Sequence, residues 1–208
     1  MAADTIRSDA PASAAGESES LGLFPLHSVL LPGAAMGLRV FEPRYLELVG
    51  ECGRSGRGFG VCLMLEGGEA GPPAAPAAFG TEALIEDFGT GEDGLLILRV
   101  RGMRRFHAQR VRVRDNGLQV ADVAWCDPDP TEPVRPEHGL MVTLLERLLD
   151  HVGGEHAKAP RACFDDAAWV GWRLAELLPL QAAQRQYLLQ LDDPHSRLDH
   201  LLKLLPEV

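Results

Sequence analysis

The sequence predicts an α+β fold, with strands and one helix first and an all-helical part after them. Three observations predict it. Between Leu21 and Trp125, short apolar and β-branched runs alternate with Gly, Pro and Asn turns, as in successive strands. From Glu137 to Leu205, apolar residues recur three and four apart, the period of amphipathic helices. Between these regions, Asp127 to Pro136 holds four prolines and three acids and reads as a linker. Strands followed by helices argue against a doubly wound sheet. The expected organisation is a disordered tail over 1–20, a β-rich part over 21–126, the linker over 127–136 and a helical part over 137–208.

Each element has a local reason. Leu21–Leu26 reads as a strand, with Pro25 marking a sheet edge. Pro32-Gly33 is a turn, and Met36–Phe41 is the next strand. Pro43 suits the first position of a helix and biases Glu42 towards an extended conformation at the positive end of the dipole. Phe41 and Leu46 have the spacing of a hydrophobic staple. Gly53 and Gly56 end that helix. Gly58–Leu65 is a strand, and Gly67–Ala78 is a mobile Gly/Pro/Ala loop. Strands follow over Phe79–Phe88, Leu95–Val100 and Arg104–Arg114, with Gly91–Gly94 and Gly102 between them.

Asn116-Gly117 signals a two-residue hairpin into Leu118–Trp125. That turn sets Val113 opposite Val120 and Arg110 opposite Val123, and calls for a bulge near Ala121–Val123. Four helices are expected after the linker. They are Glu137–Val152, a helix capped by Asp165 or Asp166 and running to Leu178, Ala182–Leu191, and Pro194–Leu205.

Composition narrows the chemistry. The 208 residues are 46% hydrophobic and 24% charged, with a net charge of −10. Such a chain repels nucleic acid and anionic membrane except at a local patch. Only Lys158 and Lys203 are lysines, against eighteen arginines. Cys52, Cys62, Cys126 and Cys163 form no C-x-x-C pair, so no zinc site is suggested. No run approaches a membrane span, and the N-terminus has no signal-peptide core. A reducing cytoplasm is the expected location, and no cofactor or metal is expected.

Several stretches then become specific. They are Leu23-Phe24-Pro25-Leu26, Leu31-Pro32-Gly33, and Leu38-Arg39-Val40-Phe41-Glu42-Pro43-Arg44-Tyr45. Phe59-Gly60-Val61, Gly80-Thr81 with Ala83 and Ile85, and Arg99-Val100-Arg101-Gly102-Met103-Arg104-Arg105-Phe106 follow in order. The helical part adds Leu174 to Leu180, Gln186 to Leu189, and Asp193 to Leu198. Together they resemble the N-terminal substrate-binding domain of Lon proteases, from about Leu21 to Leu205. The resemblance implies a curved, PUA-like β-barrel subdomain beside a helical subdomain, and a role in recognising protein substrates.

A full Lon also needs G-x-x-x-x-G-K-[ST] for ATP and a lysine-activated serine for proteolysis. Neither lysine here lies in such a loop, and Ser28, Ser55 and Ser196 lie in no matching motif. The chain is therefore expected to be a free-standing, non-enzymatic relative. Unfolded or extended protein segments are its expected partners, a Lon-type protease is a further one, and no membrane is expected.

Candidate residues follow from these readings. Phe24, Phe41, Tyr45, Met103 and Phe106 from the β part, with Trp169 and Trp172 from the helices, are the candidates for contacting a peptide. The expected place is the seam between the two parts, with strand addition at the Pro25 edge. Pro25, Pro32, Gly33, Glu42, Pro43, Arg44, Gly102 and Arg105 read as motif residues with structural roles. The alternative function is RNA or nucleotide binding. From Arg99 to Cys126 the local charge is +5, and Arg110, Arg112 and Arg114 share one strand face as an anion-binding candidate. A solvated outer face explains the same pattern, and Phe106 is the only aromatic between Arg99 and Arg114 for stacking on bases.

Other motifs read as structure. Asp193-Pro194 is a helix start, and His195 and His200 are five apart, which does not suit one helix face. Gly53 to Gly60 runs from helix to strand, the reverse of a phosphate loop. The helix over Asp166–Leu178 is apolar on several sides, as in a helix at the centre of a bundle.

Overall fold

The computed structural model describes residues 19–65 and 75–205. Its elements are β1 (Glu19–Leu26), β2 (Ala35–Val40), α1 (Pro43–Ser55), β3 (Phe59–Met64), β4 (Pro76–Thr90), β5 (Leu96–Val113) and β6 (Gln119–Trp125). The helices α2 (Gly139–Val152), α3 (Arg161–Phe164), α4 (Ala167–Leu177), α5 (Ala182–Leu189) and α6 (Pro194–Leu204) follow, with single 3₁₀ turns at Pro136–His138 and His156–Lys158. The expected tail up to Ser18 and most of the expected Gly67–Ala78 loop lie outside the described residues. The first strand starts at Glu19, earlier than the sequence pattern shows, because Glu19 to Gly22 already pair with β6.

The six strands lie in the order β2-β5-β4-β3-β1-β6, and β5 also pairs with β6. Only β1 and β3 run parallel, so the sheet is mixed. The sheet curls on itself through the β5–β6 pairing, but β2 branches from β5 and register shifts interrupt three ladders. The result is a curved α+β fold and not a regular closed barrel. β1 as a whole sits between β3 and β6, so the edge expected at Pro25 is local to the end of the strand. The proline is tolerated because β6 pairs only as far as Gly22, and Pro25 lies beyond it opposite Cys62 of β3.

Two expected strands are one. β5 runs unbroken through Gly102, serving β2 and β4 with its first half and β4 and β6 with its second. The hairpin after it is also longer than two residues. Arg114 N–H donates to the Leu118 carbonyl, and Gly117 takes φ +81°, which makes Asp115-Asn116-Gly117 a three-residue loop. Val113 therefore faces Gln119 and Arg110 faces Asp122, one residue away from the expected register. The bulge falls on β5, between Ala108 and Arg110, and not on the return strand.

The helical part holds the four expected helices, together with the short α3 and the two 3₁₀ turns that their period does not reveal. Asp166 caps α4 by accepting from Ala168 N–H, and Asp193 caps α6 by accepting from His195 and Ser196 N–H. α4 is central, with Ala167, Ala168 and Val170 to Ala175 all buried.

The larger apolar core runs from Phe24, Leu30, Phe59 and Leu98 in the strands to Leu145, Leu174 and Leu198 in the helices, and a smaller one of Leu21, Leu23, Cys62, Phe106, Ala121 and Val123 fills the curled sheet. Polar bonds close the same boundary. The carbonyls of the Leu30–Gly33 loop are all taken: Leu30 by the Thr81 hydroxyl at 2.7 Å, Leu31 by Ala34 N–H, Pro32 by Arg173 and Gly33 by Arg101. Arg105, 4% exposed, donates to the carbonyls of Leu189 and Leu191. The fully buried Arg197 pairs with Asp129 at 3.0 Å, and Asp129 also accepts from Trp172 and Arg105.

Candidate functional site

Much of the expected seam is packed by protein. Phe106 is fully buried among Leu21, Leu23 and Val123 inside the curled sheet. Phe24 is 6% exposed, its ring stacked on Tyr45 with centroids 4.1 Å apart. Trp172 is 5% exposed beneath the Arg197 guanidinium. These three are core side chains and cannot contact a ligand in this arrangement. Tyr45 and Trp169 are half-buried, the latter edge-on to Phe164. Only Phe41 and Met103 are exposed, and the structure does not bring them together. Met103 lines a cleft beside the linker with Pro32, Trp125 and Pro128, whereas Phe41 stands at the start of α1.

The motif residues hold the fold. Glu42 is the extended residue before α1, and Pro43 opens the helix, as the sequence suggests. Arg44 pairs with Glu42 at 2.6 Å and reaches the Gly117 carbonyl, so it pins α1 to the β5–β6 hairpin. Gly102 exchanges backbone bonds with Gly33 and Ala34. Phe41 and Leu46 are 63% and 41% exposed, so their staple spacing does not bury either one.

The anion-binding candidates are largely neutralised at contact distance. Arg112 pairs with Asp122, and Arg114 pairs with Glu51 at 3.0 Å. Along the same strand, Arg99 and Arg101 share Glu86 and Glu155, Arg104 pairs with Glu82, and Arg105 pairs with Asp129 and Asp192. Arg101 holds the Glu155 carboxyl down to about 2. Among the described residues, Arg110 alone of this set has no carboxylate within ion-pair distance. The +5 stretch is thus a network of cross-strand and inter-element pairs, with all the partner acids but Asp122 supplied from outside it.

The feature that sequence reasoning missed is a groove of about 600 Å³ between α1 and the projecting end of the β4–β5 hairpin. α1 supplies Leu46, Val49, Gly50, the buried Cys52 and Gly53, while Leu48 enters the core. The hairpin supplies Leu84, Ile85, Phe88, Leu96 and Leu98. Arg57 and Glu86 are the charged residues at its wall. Phe88 is 74% exposed, an unusual state for a large aromatic. In the sequence, Leu46 reads as the staple partner of Phe41 and Phe88 as the end of a strand, and nothing local to either marks a shared groove. Burial pushes the Cys52 thiol under this groove up to about 11, which keeps it protonated and unreactive at neutral pH.

The remaining chemistry is sparse. All four cysteines are free thiols. Among the described residues, no three His, Cys, Asp or Glu side chains gather as metal ligands, and no helix is long and apolar enough to cross a membrane.

Comparison with known proteins accounts for the architecture. The sequence model of the ATP-dependent protease La (LON) substrate-binding domain matches residues 20–207. The crystal structure of a Lon N-terminal domain protein from Xanthomonas campestris is 60% identical, covers 90% of this chain and 99% of its own, and superposes with a TM-score of 0.78. The N-terminal domain of a Mycobacterium avium complex Lon protease shares the fold at 17% identity, covering 89% of this chain and 97% of its own, with a TM-score of 0.62. The curved mixed sheet, the central α4 and the near-complete match together place the chain in the family of Lon substrate-binding domains.

Proposed function

We propose that the chain is a non-catalytic recognition module that binds exposed apolar segments of other proteins in the groove between α1 and the β4–β5 hairpin. One observation carries this reading: the groove unites an apolar floor with large side chains that the fold leaves outside its core, Phe88 and Leu46. An apolar surface of this kind on a folded chain marks an interaction site. Family membership supports protein segments as the ligand class. The burial of Phe24, Phe106 and Trp172 and the bridging arginines Arg105 and Arg173 at the seam support the groove over the seam as the binding place.

The test is a fluorescence titration with a permanently unfolded probe, such as reduced and carboxymethylated α-lactalbumin. Wild-type protein should bind saturably. The double variant Leu46→Ala with Phe88→Ala should bind about tenfold or more weakly, since aromatic and aliphatic anchors dominate such interfaces. Its unfolding midpoint should stay close to wild type, because neither side chain is in the core. Absence of saturable binding by wild type, or equal binding by the double variant, would contradict the proposal.

A further inference from the structure

The groove has a second property that its apolar lining does not require. β3 pairs with β4 only from Met64 opposite Pro76 to Phe59 opposite Ala83. β4 continues for seven more residues, Leu84 to Thr90, with β5 on one side and no strand on the other among the described residues. The β3 lane stops because the chain turns into it from α1 through Gly56, at φ +68°, and Gly58. A Cβ at Gly58 would lie 2.7 Å from the Ala83 carbonyl oxygen, so the backbone enters the lane at close range. Beyond that point no strand of the described residues continues the lane, and the α1–hairpin groove lies against the same β4 residues. Leu84, Ile85, Glu86 and Phe88 of this open β4 edge are themselves groove residues.

An unpaired strand edge offers backbone N–H and C=O groups at strand spacing, which another extended backbone can pair with along its length. The opposite wall fits such an occupant. α1 presents Gly50 and Gly53 to the groove, and an added Cβ at Gly53 would meet no atom within 4 Å. Charge sets a direction. Arg54 and Arg57, the latter also paired with Glu19 at 2.7 Å, are exposed at the Gly58 end of the lane, and Asp87 and Glu92 are exposed at the hairpin end. A strand antiparallel to β4, continuing the sense of β3, has its C-terminal end by the arginines and its N-terminal end by the acids. We propose that the groove takes its ligand as a strand added to β4 at Leu84–Thr90, antiparallel to it, with alternate apolar side chains turned towards α1 and an acidic residue at the C-terminal end. This rests on the apolar-segment reading above and names the form in which the segment binds.

The probe is an acetylated, amidated nonapeptide with leucine or valine at every second position, lysine at its N-terminal end and glutamate at its C-terminal end. Two N-methylated versions block alternate sets of amides. In a strand, every second N–H points to the same neighbour. One version should therefore bind about tenfold or more weakly than the parent, and the other should stay within about twofold. Exchanging the terminal lysine and glutamate should weaken binding, and so should Gly53→Gln, which fills the groove from a site that meets no neighbour. The proposal is overturned if both methylated versions bind like the parent, or if the parent does not bind. Should the unfolded protein still bind saturably in those cases, strand addition alone fails. Should it not bind either, the apolar-segment reading fails too.

Discussion

A methyl group added at Gly102 would overlap the carbonyl oxygen of Leu31. That clash explains why a glycine sits in mid-strand, where it is otherwise unfavourable. Gly102→Ala should destabilise the fold by about 3 kcal/mol through overpacking of backbone against backbone, read as a lower urea midpoint. An unchanged midpoint would mean that the loop and strand separate without cost. The residues that made the family legible in the sequence are of this kind. Pro32, Gly33, Thr81, Gly102 and Arg105 meet at one junction, where loop carbonyls and buried guanidiniums hold the two parts of the chain together. Their pattern is specific because the junction is demanding, and it reports on assembly. Phe24, Phe106 and Trp172 could not be told from ligand contacts in the sequence, since an aromatic that fills a core and one that grips a peptide look alike without burial. The pairing of Arg99 to Arg114 was equally hidden, because Glu51, Glu82, Glu86, Asp122, Asp129, Glu155 and Asp192 come from β strands, α1 and loops far apart in the chain.

At the scale of elements, Asp127–Pro136 is more than a spacer. Asp129 lies between Arg197 and Arg105 and accepts the indole N–H of Trp172, so the segment ties β5, α4 and α6. Asp129→Ala leaves two buried guanidiniums without this partner. It should cost about 3 kcal/mol, with loss of cooperativity between strand and helix signals in denaturant. A midpoint within error of wild type would show that the pairs are incidental. The helices were legible because their caps and periods are local, as at Asp166 and Asp193. Sheet connectivity was not. Gly102 reads as a break in sequence, and the β5–β6 register turned on whether Asp115 belongs to the loop. Both depend on long-range pairing, which a single sequence does not display. The groove was missed for the same reason, because it arises from α1 and a hairpin that meet only in the fold.

For the whole molecule, one ion cluster couples the two parts across their surface. Arg101 donates to Glu155 and Glu86, and Arg101 holds the Glu155 carboxyl at about 2, below its ordinary value of 4.5. A carboxyl depressed in the folded state contributes stability above its unfolded value and loses it as pH falls through the folded one. The difference in stability between wild type and Glu155→Gln should be present at pH 7 and shrink from pH 4.5 towards 2. Because Glu155 is partly exposed, that difference should stay below about 1 kcal/mol and weaken with salt. A difference that is constant with pH would place the contribution elsewhere.

The central claim is that recognition lies in the α1–hairpin groove and not at the seam. Hydrogen–deuterium exchange of the protein with and without a saturating unfolded probe tests it most directly. Exchange should slow over Leu84–Thr90 and α1, with Met103 to Pro130 unchanged. Saturable binding that protects the Met103–Pro130 region and leaves Leu84–Thr90 unaltered would contradict it.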